Sequence, residues 1–417
     1  MRRVCVVGVA LVTALCVMAG SATAAGAVKL CVPKKEGSPV VTPKHGKCKK
    51  GFKLTGLGAT GGEGKQGKEG RTGAEGKQGQ EGKTGTTGFS SSELETLRAL
   101  LPHIQFVGTG VGGKPTVQFS GVNVQIVNGE GKTETTNGEG NLVIGYDENE
   151  GKHSQTGSHD LVVGEEQTFT SSAGIVAGYE DAITAAFATV TGGKFNVASG
   201  RNSSITGGEV NTASGPVASV SGGDNNVASG GATSVSGGAA NSATALAASV
   251  GGGANNRATG EAATVSGGND NEAQGAFGAW AAGGFENRSN GFSTSAVGGF
   301  KDSVTGENAV AIGGFSNTAS GSDSLASGGF SNTASGGDSL ASGGSGNVSE
   351  GNATSTTGGK LNKASGAAAS VSGGEGNEAI GSRASVSGGK ENKAKGNFTS
   401  ILGGKLEEAT VEFETKP

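Results

Sequence analysis

From Ala186 onward the chain repeats itself with a fixed period. "AFATVTGGKFNVASG" at Ala186, "RNSSITGGEVNTASG" at Arg201 and "PVASVSGGDNNVASG" at Pro216 continue to "SRASVSGGKENKAKG" at Ser382 and "NFTSILGGKLEEATV" at Asn397. Fifteen blocks follow one another, all of fifteen residues except the sixteen of "AFGAWAAGGFENRSNG" at Ala276. Looser versions precede them: "NLVIGYDE" at Asn141, "DLVVGEEQ" at Asp160 and "GIVAGYED" at Gly174. A short fixed period of this kind specifies a solenoid, in which each block packs chiefly on its neighbours.

Each position in the block has a physical reading. A short strand leads, with Val or Ile at the fifth position (Val190, Ile205, Val220, Val235, Val250, Val265, Val371, Val386, Ile401), expected to point inward and stack coil on coil. A Gly pair then supplies a turn that needs positive φ. Asn follows at Asn196, Asn211, Asn226, Asn241, Asn256, Asn271, Asn287, Asn317, Asn332, Asn347, Asn362, Asn377 and Asn392. Asn tolerates the left-handed region and bonds nearby backbone, and stacked copies predict an amide ladder. A small residue two places on is the second inward contact. A closing Gly (Gly200, Gly215, Gly230, Gly260) makes the other turn. The expected fold class is therefore all-β, a parallel β-roll of fifteen-residue coils over 141–411 with a six-residue tail, 412–417. Its core of Val and Ala is thin, and packing three chains about an axis would bury a further face lined by Ala, Ser and Gly.

The N-terminal third reads differently. "MRR", an apolar run from Val4 to Met18 and "SATAA" form a secretory signal over 1–24, too short for a good spanning helix. Export leaves Cys31 and Cys48, which predict a disulfide in a basic segment over 25–57. From Gly58 to Gly88 every third residue is Gly over ten unbroken triplets without proline. That period is the signature of a collagen triple helix. "SSSELETLRALLP" predicts a short amphipathic helix over 89–102, with Ser92 and Glu95 as capping box and Pro102 as stop. Alternation through Val117, Phe119, Val122, Val124 and Ile126 predicts strands in a β cap over 103–140. Charge is segregated: residues 26–87 carry a net +8 and 88–417 a net −14. The basic foot could meet an anionic cell-wall polymer or lipid surface, or serve as a solvated linker.

Aligned on these features, "NAVAIGGFSNTASG" at Asn308 resembles the head repeat of trimeric autotransporter adhesins of the YadA type, and the resemblance extends over residues 141–411. It implies a left-handed roll, three chains side by side, and binding to extracellular matrix or surface glycans. The family's membrane barrel and coiled-coil stalk have no counterpart here: "KLEEATVEFETKP" follows Gly404, and the collagen-like run takes the stalk's place. Self-transport and membrane anchoring are accordingly not carried over, and no membrane-spanning segment is expected in the mature chain. The expected protein is secreted or cell-surface, a homotrimer, with an attachment role; the alternative is a solenoid binding carbohydrate or ice.

Chemistry-bearing motifs are few. "GTGVGGKPT" at Gly108 departs from a phosphate loop because Pro115 replaces the magnesium-binding Ser/Thr. The run "DENEGKHSQTGSHD" holds Asp147, Glu148, Glu150, His153, His159 and Asp160 at spacings that match no common metal motif, and reads as a polar loop. No nucleophile–His–acid set stands out, so no enzyme, cofactor, metal or nucleic-acid partner is expected. The one feature above this background is Phe285, Phe300, Phe315 and Phe330, which follow the Gly pair in four successive blocks. They predict an aromatic stack, serving either as a seal on one corner or as an exposed strip for sugar or protein contact.

Overall fold

A computed structural model describes residues 28–34, 41–57 and 89–417. The signal segment 1–24 and the collagen-like run 58–88 lie outside the described residues. Two units are distinguished, Met1–Gln125 and Ile126–Pro417.

In the first unit, strands Val28–Pro33 and Phe52–Leu57 pair antiparallel. Cys31, buried within the first of them, is bonded to Cys48 across 5.5 Å between Cα atoms. The helix spans Ser91–Leu100 and begins two residues earlier than its expected capping box. Ser90 is the cap: its Oγ accepts from the Glu93 amide, and the Glu93 carboxylate accepts from the Ser90 amide at 2.7 Å. Three consecutive serines offer the same chemistry in different registers, and the one that places Glu at the third helical position satisfies both orphan amides. Leu94 and Leu100 remain exposed. Strands Ile104–Val107 and Thr116–Phe119 then form an antiparallel hairpin. The Gly-rich run resembling a phosphate loop is its turn, closed by the Gly110 amide donating to the Lys114 carbonyl at 2.9 Å. The expected strand through Val122, Val124 and Ile126 does not form: alternation alone cannot make a strand without a ladder partner, and these side chains stand in solvent.

The second unit is a parallel β-solenoid of about eighteen coils. One ladder of nineteen strands starts at Leu142–Ile144 and ends at Thr415–Lys416. A second of seventeen runs from Thr168–Phe169 to Glu408–Ala409. Both are in register at fifteen residues, Val197 opposite Thr212 opposite Val227, and the sixteen-residue block is absorbed without a slip. The last rung uses Thr415 and Lys416, so the coil continues through the expected tail. A third row of single-residue bridges follows the Gly pair, from Tyr179 through Lys194 to Lys405.

Five positions of each coil face inward, as in Ala248, Val250, Asn256, Ala258 and Gly260. The Val and Ile residues expected inside are buried to 1% exposure or less. One expectation about the turns changes. The spine asparagines are not the left-handed residues; that conformation falls on the residue before each, whatever its type, including Phe195 (φ 58°) and Val210 (φ 57°). An inward amide needs an ordinary strand-entry backbone, so the turn strain passes to its outward neighbour. The closing glycines Gly200, Gly215, Gly230 and Gly260 stand at negative φ or extended backbone. A Cβ on Gly215 would run into the Gly230 carbonyl of the next coil, so Gly is required there by close approach of backbones.

Candidate functional site: a buried amide spine and an exposed aromatic strip

All thirteen asparagines singled out in the sequence are fully buried and lie on one line. Asn256 is representative. Its Oδ1 accepts from the Asn271 amide at 3.0 Å, its Nδ2 donates to the carbonyls of Gly252 (2.8 Å) and Gly268 (2.9 Å), and its own amide donates to Asn241 Oδ1. Each side chain thus satisfies a backbone donor in the next coil and two turn carbonyls, in a place no water reaches. The line is longer than the asparagines alone. It begins with Asp147, whose Oδ1 accepts from Gln167, and runs through Gln167, Asp181, Asp302 and on to the amide of Glu407.

Two carboxylates in this spine break its chemistry. Asp181 and Asp302 are fully buried, accept on Oδ1 as an Asn does, and hold Oδ2 where an Asn holds its amide nitrogen. Both Oδ2 atoms are buried without a hydrogen-bond partner. Burial pushes each of these carboxyls up to about 6, against the opposing pull of the Asn196 and Asn317 amides. Asp160, a buried residue preceding the strand Leu161–Glu165, is raised to about 6 by the same cause.

The four phenylalanines lie in the third row, bridged in order Phe285, Phe300, Phe315, Phe330. Their ring centroids are 5.1, 4.8 and 4.9 Å apart, and successive planes are within 12° of parallel. Phe285 and Phe300 are half-buried, whereas Phe315 is 40% and Phe330 51% exposed. The rings therefore form a continuous strip that solvent reaches most at its C-terminal end. Lys301 sits over Phe300 at 5.1 Å and pairs with Glu286 at 3.2 Å. Further along the same row in both directions stand ion pairs, Lys194 with Glu209 at 2.8 Å and Lys390 with Glu375 at 3.2 Å, separated from the strip by four and two intervening rungs.

The strip belongs to a wider change in the coil that sequence reading missed. Over coils 276–351 the inward strand residue shrinks to Ala (Ala281, Ala296, Ala311, Ala326, Ala341), all fully buried. Larger apolar residues stand outward instead: Trp280 is 41% and Ile312 45% exposed, with Val310, Leu325 and Leu340 half-buried. The signal was present as "AVAIGGF" against "ASVSGG", since alignment on the Gly pair moves the branched residue from the inward to the next, outward position. Elsewhere the corresponding outward row is small and polar, as in Ser204, Ser219, Ser234 and Ser249.

The polar loop 147–160 is dispersed by the fold. Asp147 enters the spine, the imidazole of His159 bonds the Asn128 amide and the Thr133 carbonyl, and Asp160 accepts from the Gly174 amide at 2.7 Å. Only His153 meets other acidic groups, Glu166 and Glu180 of the following coils. The chain matches no protein-family model and no curated protein.

Proposed function

We propose that the solenoid is the head of an exported, adhesin-like surface or extracellular protein that mediates attachment as a homotrimer, on a collagen-like stalk. The reading rests on the stacked Phe strip, with Trp280, Ile312 and outward Val and Leu side chains exposed on the same coils. A monomeric soluble chain seldom leaves a run of stacked aromatic rings and outward apolar side chains uncovered without a partner for it. The resemblance of residues 307–321 to YadA-type head repeats falls on the same coils and supports the attachment role. Trimerisation is supported by the uncovered apolar side chains of the helix and hairpin, Leu94, Leu100, Val117 and Phe119, and by the flat Ser row, whose small side chains let a second backbone approach. The partner class is matrix protein, surface glycan or cell-wall polymer, and we assign the chain no catalytic role.

Phe300→Ser combined with Phe315→Ser tests the reading. Adhesion to immobilised matrix or glycan should fall at least tenfold while the melting temperature stays within a few degrees of the parent. Unchanged adhesion with a lowered melting temperature would reduce the strip to a corner seal. Sedimentation of the mature chain should give a trimer, and a monomer would refute the assembly. A second reading, a carbohydrate- or ice-binding solenoid, draws on the regular Ser/Thr row spaced by one coil, about 4.8 Å. Thermal hysteresis and glycan binding that survive loss of the Phe strip would favour it.

A further inference from the structure

Among the described residues one cluster combines imidazole and carboxylate ligands: His153, Glu166 and Glu180, whose donor atoms lie within 4.8 Å of one another. The fold builds it from three coils. Glu166 and Glu180 occupy equivalent left-handed turn positions (φ 57° and 54°) on successive coils, so their carboxylates stack with like charge against like. The next two coils carry Phe195 and Val210 at that position; an acid pair recurs there at Asp270 and Glu286, but beside Arg257 and Arg288 in place of an imidazole. His153 arrives from the loop before them and faces both.

The imidazole is held as a ligand is held. Its Nδ1 lies 3.2 Å from Thr168 Oγ1, which leaves Nε2 as the atom turned toward the carboxylates. Asn149 clamps the same residue from behind, accepting from its amide at 3.2 Å and donating to its carbonyl at 2.7 Å. Such outer contacts fix ring orientation in metal sites. Nε2 is buried and has no hydrogen-bond partner. It stands 3.6 Å from Glu166 Oε2 and 3.7 Å from Glu180 Oε1, beyond hydrogen-bond length. Ligand bonds of about 2.1 Å in a tetrahedron place donor atoms about 3.4 Å apart. The two gaps from Nε2 are therefore within a few tenths of an ångström of a coordination edge. Lys152, the nearby cation, is engaged by Glu150 at 2.9 Å.

We propose that His153, Glu166 and Glu180 bind a divalent transition-metal cation of the zinc class, tying the loop that carries His153 to the first coils. One imidazole and two carboxylates suit zinc better than calcium or magnesium, which take oxygen ligands alone. The three side chains leave a fourth position for water. The spacing of loop residues gave no such reading, because two of the three ligands lie outside the loop, thirteen and twenty-seven residues beyond its His.

Titration of the full chain with zinc chloride at pH 7.5 tests the site. One ion per chain should bind, His153→Gln and Glu166→Gln should each weaken binding at least tenfold, and Ca²⁺ should not compete. Co²⁺ in place of zinc should give visible absorption bands of four-coordinate strength that His153→Gln abolishes. Circular dichroism of each variant guards against loss of fold. Absence of zinc binding by the parent would overturn the proposal. So would binding that both variants retain, which would place the ion elsewhere. A His153→Gln destabilisation that is identical with and without a chelator, in a chain that binds no ion, would make the cluster an imidazolium–carboxylate ion pair only.

Discussion

Replacing Asp302 by Asn should stabilise the solenoid, and the gain should depend on pH in one direction. Asp302 is fully buried, its Oδ1 serves the Asn317 amide at 2.7 Å, and its Oδ2 has no partner in the place where neighbouring asparagines hold a donor. The carboxyl is raised from 3.8 to about 6 by desolvation. A raised acid stabilises the folded chain fully below the unfolded value of 3.8, and that stability is lost as pH rises through about 6. Two units at about 1.36 kcal/mol each make the ionised aspartate about 3 kcal/mol costlier at pH 7 than its protonated form. Asn carries no such penalty and adds a donor for the turn carbonyls. Asp302→Asn should therefore stabilise by about 3 kcal/mol at pH 7 and by about 0.5 kcal/mol at pH 4. For a unit of this size that is a rise of roughly 5–10 °C in melting temperature at pH 7. Differential scanning calorimetry of parent and variant from pH 4 to pH 8, at one scan rate, checks it. A gain of equal size at both ends, or no gain at pH 7, would refute the account of the buried carboxylate.

Asn256→Ala removes one acceptor and two donors from buried partners and should cost roughly 3–5 kcal/mol, read as a lowered melting temperature and as hydrogen exchange at the Asn271 amide. Val210 is β-branched at φ 57°, so Val210→Asn should stabilise by about 1 kcal/mol, measured by denaturant midpoint at unchanged slope. Gly215→Ala sets a methyl against the Gly230 carbonyl and should separate two coils, seen as protease cleavage between them. Cys31→Ser opens a loop of 17 residues and should cost the Val28–Leu57 hairpin roughly 3 kcal/mol, read by exchange of its ladder amides.

Period and composition made the solenoid legible because fifteen-residue spacing, β-branched residues and paired glycines are local signals that all demand the same coil. The inward Val and Ala positions and the Cys31–Cys48 bond were accordingly readable. What escaped was whatever depends on which atoms meet between coils. Asn was readable as special, yet its backbone is ordinary and the strain sits on Phe195 or Val210, a distinction set by where the amide must point. The shift of apolar bulk from inside to outside at Ala311 and Ile312 is one register position, visible only once the glycines anchor the alignment. Val122 to Ile126 had the pattern of a strand and lacked a neighbour to pair with. Glu166 and Glu180 have no motif in common with His153; only the pitch of the coil brings them together.

The bonds of the amide spine and of both ladders run from coil to coil, parallel to the solenoid axis. A load applied along that axis meets one coil's bonds at a time, in series, so the structure yields by peeling from an end instead of resisting as a whole. Each coil released lengthens the chain from a rise of about 4.8 Å to about 50 Å for its fifteen residues. Such a body behaves under tension as a reel, giving out chain in equal steps at nearly constant force while the coils still wound keep their shape.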